Sequence, residues 1–207
     1  MTPSINWPGL TRINTQQWRC GFCDREVASD VGWVGTFQRG DYQGHWTVEW
    51  YVAVCPRCTL PTFIGDDGVQ VPGARAGEKI EHLPADIDAL YTEARRAMGV
   101  SAYTLAVLAG RKILMHVSAA NGAKAGESFK AYVDGLQAHG LVTAGMKDWV
   151  DEIRELGNDA NHEIALMQRE DAETLLTFVA MLLRIVFEYP EKGRQSGTAR
   201  AAKQSKT

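Results

Sequence analysis

Two groups of residues in this chain have the types and spacing to do chemistry. The first is Cys20-Gly21-Phe22-Cys23 together with Cys55-Pro56-Arg57-Cys58, which account for all four cysteines. Each Cys-x-x-Cys turn aims two thiolates at one point, with Gly21 flexible in the first turn and Pro56 pre-setting the second. Four thiolates match tetrahedral Zn²⁺, which is soft enough for sulfur and imposes no d-electron geometry. A set with all four positions filled by protein implies one structural zinc per chain. The second group is Arg154-Glu155-Leu156-Gly157-Asn158-Asp159-Ala160-Asn161-His162. It concentrates more hydrogen-bonding chemistry than an ordinary helix surface carries.

The cysteine turns need strands to hold them. Trp46, Val48, Trp50, Val52 and Val54 alternate with Thr47, Glu49, Tyr51 and Ala53, the period-two pattern of a half-buried strand. Residues 31–38 form its hairpin partner across a turn containing Gly40, Asp41 and Gly44. A second hairpin pairs residues 62–64 with 69–71 around Asp66-Asp67-Gly68. The metal then staples a segment, 1–72, too small to fold on its own core. Five of the six tryptophans lie in this segment. A small ribbon needs large side chains inside, so they are read as core; the alternative is a stacking platform for bases or a partner protein. Two disulfides would require an oxidising compartment, and residues 1–20 carry no apolar signal segment. A thioredoxin-like redox pair would require a βαβ pattern, which is missing.

The second group needs a helix. From Leu83 the periodicity becomes helical: about 83–99, then Ser101 as N-cap of a helix to about Ala119, then about 127–139 with Gly140 closing it. The next helix has apolar positions Met146, Val150, Ile153, Gly157, Ala160, Ile164 and Met167. On its wheel Arg154, Asn158 and His162 follow i, i+4, i+8 as one ridge away from that seam. Gly157 costs about 1 kcal/mol against alanine in a helix; close helix approach would explain it, and the alternative is a helix frayed at Gly157-Asn158 with polar residues capping the break. The last helix, about 171–189, is apolar nearly all round, as for the centre of a bundle. Pro190 ends it, and residues 191–207 read as a disordered basic tail. The fold class is thus α+β, mainly α: a β zinc ribbon over 1–72 and about five helices over 83–190.

Charge narrows the functions. The chain carries −3 overall, but residues 191–207 hold five basic side chains and one acidic, leaving 17 basic against 24 acidic elsewhere. An acidic body is unlike a dedicated sequence-specific DNA binder. No apolar run reaches the roughly 20 residues that span a bilayer, so a cytoplasmic protein without membrane partners is expected.

The residues carry a resemblance. A cysteine ribbon is followed by Leu83-Pro84, Tyr91-Thr92-Glu93-Ala94, Ser101-Ala102-Tyr103, Gly110-Arg111-Lys112, Ile153-Arg154-Glu155-Leu156-Gly157-Asn158 with His162, and Tyr189-Pro190. This order resembles the domain-of-unknown-function family numbered 4145 over about residues 50–190, and through it the HEPN superfamily. That resemblance implies a four- or five-helix bundle, a homodimer, and a role in phage defence or restriction. Many such domains are metal-independent ribonucleases. By that likeness His162 would act as acid or base at a 2′-hydroxyl and Arg154 would stabilise phosphate charge, beside Asn158. Arg111 and Asn161 would be supporting polar residues. Seven residues separate Arg154 from His162, a longer interval than the nuclease pattern has, and Met115 stands where the family often has glutamate. The leading expectation is therefore a dimerising module that binds nucleic acid or a partner protein without catalysis. A ribonuclease using Arg154, Asn158 and His162 comes second, and a protein-binding adaptor third.

Overall fold

The computed structural model describes residues 7–42, 44–124, 126–162 and 166–204, with 144, 147, 157–162 and 199–204 described by backbone alone. It divides into two compact units, Met1–Arg75 and Ala76–Thr207.

The first unit is one antiparallel sheet in sequential order: β1 (Thr11–Arg19), β2 (Glu26–Asp41), β3 (Gly44–Val54), β4 (Pro61–Ile64) and β5 (Gln70–Val71). The β2–β3 hairpin pairs Gly32 with Ala53 and runs to Asp41 opposite Gly44. Gly32 is required there, because a Cβ would lie 2.2 Å from the Val52 carbonyl oxygen. The β4–β5 turn is closed by Gly65 N–H donating to Val69 O at 2.9 Å, with Gly68 in the left-handed region at φ 78°. Both predicted hairpins are present. Strand β1, absent from the sequence reading, pairs with β2 across an irregularity between Arg12 and Gln16.

The core of this unit is small: Trp18, Cys20, Ala53, Cys55 and Cys58, flanked by Ile13, Cys23, Val27, Leu60 and Ile64. Among the tryptophans only Trp18 enters it, and this corrects the expectation that tryptophans build the ribbon core. Trp46 and Trp50 are 47% and 40% exposed. They project from the far half of a long hairpin, where no second layer among the described residues of this unit covers the sheet.

The second unit is helical: α1 (Ala85–Gly99), α2 (Tyr103–Ala120), α3 (Phe129–Ala138), a 3₁₀ turn (Ala144–Met146), α4 (Lys147–His162), α5 (Arg169–Leu183) and α6 (Tyr189–Gln204). Ile87, Tyr91, Ala94 and Met98 of α1 meet Ala106, Val107, Ile113, Leu114 and Val117 of α2 in one core. Helix α5 is the most buried, contributing Leu175, Phe178, Val179, Leu182 and Leu183 with no measurable exposure. Gly110 of α2 lets α5 approach, since a Cβ there would meet Leu175 Cδ2 at 3.0 Å.

Several boundaries differ from the sequence reading. Ser101 is not the cap of α2; it sits in the preceding turn at φ 57°, and Ala102 takes the N-cap position. Helix α3 starts later than position 127 because Ser128 caps it, its Oγ accepting from Ala131 N–H at 3.2 Å. Gly140, at φ 70°, closes it one residue beyond the His139 cap. The largest difference is the tail. Instead of ending at Pro190, the chain passes through a widened π turn (Arg184–Glu188) into α6. A proline lacks an N–H and crowds the preceding turn; the π turn gives that turn room, and a first-turn proline is tolerated. No helix among the described residues is long and apolar enough to cross a membrane.

Candidate metal centre and arginine ridge

The four cysteines come from two turns with the same backbone. In the first, Cys20 N–H donates to Arg25 O at 2.9 Å and Asp24 N–H to Cys20 O at 2.8 Å. In the second, Cys55 N–H donates to Leu60 O at 3.0 Å and Thr59 N–H to Cys55 O at 2.9 Å. The residue after each second cysteine, Asp24 and Thr59, is left-handed at φ 59°. Strands β1–β2 and β3–β4 carry these matching turns and bring them face to face.

All four Sγ atoms lie within 4.8 Å of one another. Cys20 Sγ is 3.7 Å from Cys58 Sγ, and Cys23 Sγ is 3.8 Å from Cys55 Sγ. A metal–sulfur bond of about 2.3 Å in a regular tetrahedron gives an edge of about 3.8 Å. A disulfide would need about 2.05 Å, and all four cysteines are free. The cluster therefore fits a tetrahedral S₄ ion.

In the cluster without an ion, the thiols differ in their electrostatics. Burial pushes the Cys58 thiol up to about 12 and raises Cys23 as well. Burial would also raise Cys55, but backbone N–H groups of Cys58 and Arg57 hold it below its ordinary value, Arg57 N–H lying 3.4 Å from its sulfur. A bound divalent cation would stabilise the crowded thiolates.

Side chains outside the turns brace them. Arg75 donates from Nε to Gly21 O at 3.2 Å and from Nη2 to Phe22 O at 2.6 Å. Trp7 Nε1–H donates to Thr59 O at 2.7 Å. Gly21 must lack a Cβ, which would fall 2.5 Å from Gly73 O and 2.9 Å from Pro72 O. Sequence reading missed Arg75 and Trp7, because nothing local marks a residue that caps a distant turn.

Helix α4 runs unbroken through Gly157 and Asn158 to His162. Val150 and Ile153 are buried, as the apolar seam predicts. The side chains of Asn158, Asn161 and His162 lie outside the described residues, and so does Ile164. Arg154 is described, and both terminal nitrogens of its guanidinium are engaged: Nη2 bonds Asp134 of α3 and Nη1 bonds Asp151 one turn back, while Nε is buried with no hydrogen-bond partner among the described residues. Arg154 is 17% exposed and the two aspartates are near half exposed, so the trio is partly buried with two negative charges against one positive. Arg111, on α2, lies over the Phe129 ring of α3 at 4.6 Å. Burial lowers its pKa, and its Nη1 has no hydrogen-bond partner among the described residues. Nothing described brings Arg111 to Arg154.

A further buried arginine was missed. Arg95, 2% exposed, donates from Nε to Ala76 O at 2.6 Å and from Nη2 to Gly77 O at 2.9 Å. With Tyr91 OH donating to Glu78 O at 3.2 Å, it stitches residues 76–80 to α1. The signal was available: Arg95 is four residues after Tyr91, on the apolar face of α1.

A family model described as a domain of unknown function (DUF4145) matches residues 92–202, just over half of the chain. The chain belongs to this family. No curated protein and no solved structure matches it. The DUF4145 segment begins inside α1 and contains α2 through α5 and most of α6, so Arg111, Arg154, Asn158 and His162 all fall within it. The cysteine cluster lies N-terminal to the DUF4145 segment.

Proposed function

We propose that the chain is a HEPN-like module of a prokaryotic defence or restriction-associated system, stapled by one structural zinc. In this reading it dimerises and binds nucleic acid or a partner protein without catalysing cleavage. The observation that carries the non-catalytic part is the pairing of Arg154 with both Asp134 and Asp151. A phosphodiester approaching that guanidinium would have to displace two carboxylates from a site that is already net negative. Family membership and the S₄ geometry support the modular part.

The test is incubation of the purified, zinc-loaded chain with structured and unstructured RNA in EDTA, alongside His162→Ala, with molar mass measured on the same samples. Intact RNA and a dimeric mass are expected. Cleavage by the wild type that His162→Ala abolishes would establish the ribonuclease reading instead.

A further inference from the structure

The far half of the β2–β3 hairpin has one polar and one aromatic face. Its register places Trp33 opposite Val52, Gly35 opposite Trp50, Phe37 opposite Val48 and Arg39 opposite Trp46. These side chains therefore share a face, and Val52 brings in Phe63 from β4. Trp50 meets Phe37 at 4.8 Å and 63°, and Phe63 at 5.6 Å and 82°. Val48 is buried beneath them while Trp46 and Trp50 stay open to solvent.

Three features define what could occupy this face. The rings stand edge to face, forming ridges and slots rather than the flat platform on which bases stack. Gly35 leaves a slot beside Trp50: a Cβ added there would find one atom within 4 Å, the Trp50 carbonyl oxygen at 4.0 Å. The rim is set against polyanions. Asp66 Oδ1 accepts from Trp50 Nε1–H at 2.7 Å, and its Oδ2 pairs with Arg39 at 2.9 Å. Arg39 lies over the Phe37 ring at 5.4 Å. The charge of Arg39 is thus balanced by Asp66, and Asp67, the next residue of the β4–β5 turn, is exposed with no ion pair among the described residues and adds a negative charge.

We propose that this aromatic face docks a proline-rich segment of a partner protein in the polyproline II conformation, flanked by a basic residue. Proline rings fit slots between aromatic ridges, and an extended left-handed helix loses little entropy on binding. The hydrogen bond to Asp66 holds the Trp50 ring in its binding orientation beforehand. The basic flank meets Asp67, the exposed carboxylate of this turn that has no ion pair among the described residues, where a phosphate backbone would be repelled. The inference rests on reading the chain as a binding module, and the two fail separately: RNA cleavage judges the module, the sheet face is judged below.

The experiment is a titration of the intact, zinc-loaded chain, followed by tryptophan fluorescence and calorimetry. The probes are a synthetic arginine-flanked polyproline peptide, the same peptide without arginine, and an oligouridylate. Saturable binding of the first is expected. Gly35→Val fills the slot with a strand-favouring residue, and Trp46→Ala removes an exposed ridge; each is expected to weaken binding about tenfold with zinc content unchanged. Asp67→Asn is expected to weaken only the arginine-flanked peptide. The proposal is overturned if neither peptide saturates, if oligouridylate binds in their place, or if both Gly35→Val and Trp46→Ala bind as wild type.

Discussion

Cys20 and Cys58 are 38 residues apart in sequence, and their sulfur atoms are 3.7 Å apart. That separation is the edge of a metal–sulfur tetrahedron and far beyond a disulfide. Elemental analysis of the purified chain is expected to find one zinc per chain, and cobalt substitution to give the visible absorption of a tetrahedral S₄ site. A structural zinc contributes on the order of 10 kcal/mol in small domains. Chelation, or Cys58→Ala, should therefore remove the near-ultraviolet dichroism contributed by the packed tryptophans of the sheet while leaving the helical far-ultraviolet signal. Less than one zinc per chain would contradict the assignment.

The first cysteine turn presses on residues 72–73 through Gly21. Gly21→Ala would drive a Cβ into two backbone carbonyls, which cannot move as a flexible side chain can. The expected loss is about 2 kcal/mol or more, with weaker retention of zinc against a competing chelator. Gly197→Ala, at a position with open space around it, is the matched control and should be neutral or slightly stabilising.

Arg95→Ala would leave the Ala76 and Gly77 carbonyls without their donor and open a cavity under Tyr91. Chemical denaturation should show a loss of about 3 kcal/mol. Hydrogen exchange should show residues 76–80 losing protection before α1 does. Equal protection in the variant would remove the stitching role.

Asp134 and Asp151 neutralise Arg154, so removing both charges should expose a cation. The double substitution Asp134→Asn with Asp151→Asn is expected to raise non-specific RNA affinity, with a steeper dependence on salt. Its cost in stability should be small, about 0.5 kcal/mol for each partly exposed pair. Unchanged RNA affinity would show that the pairing does not govern anion access.

Glu188 gives a pH signature. Its carboxyl is held below the ordinary glutamate range, first by the hydrogen bond from Lys192 and then by the charges of Lys192 and Arg184, although burial opposes this. A depressed folded-state pKa stabilises where the unfolded chain would be ionised. The contribution is complete above about pH 5 and is lost as pH falls through the folded value. The stability gap between wild type and Glu188→Gln should therefore hold from neutral pH to about 5 and close on further acidification.

Much of this molecule is legible in its sequence because the signals are local. Alternation within a hairpin, a glycine turn, a Cys-x-x-Cys spacing and a three-to-four helical period are written within a few residues of where they act. They determined both hairpins, the helical body, the set of four cysteines and the burial of Val150 and Ile153 on α4. The remainder depends on neighbours that only tertiary packing supplies. Trp46 and Trp50 have the size and apolarity of core residues, but no layer among the described residues of their unit covers their half of the hairpin. Arg154 has the look of a phosphate ligand, but α3 brings Asp134, 20 residues earlier, to its guanidinium. Pro190 reads as a helix stop, but the π turn before it gives the chain room to continue. Sequence alone determined which residues could form the metal cradle; only the pairing of β1 with β2 and β3 with β4 decided that four sulfurs meet at tetrahedral distance.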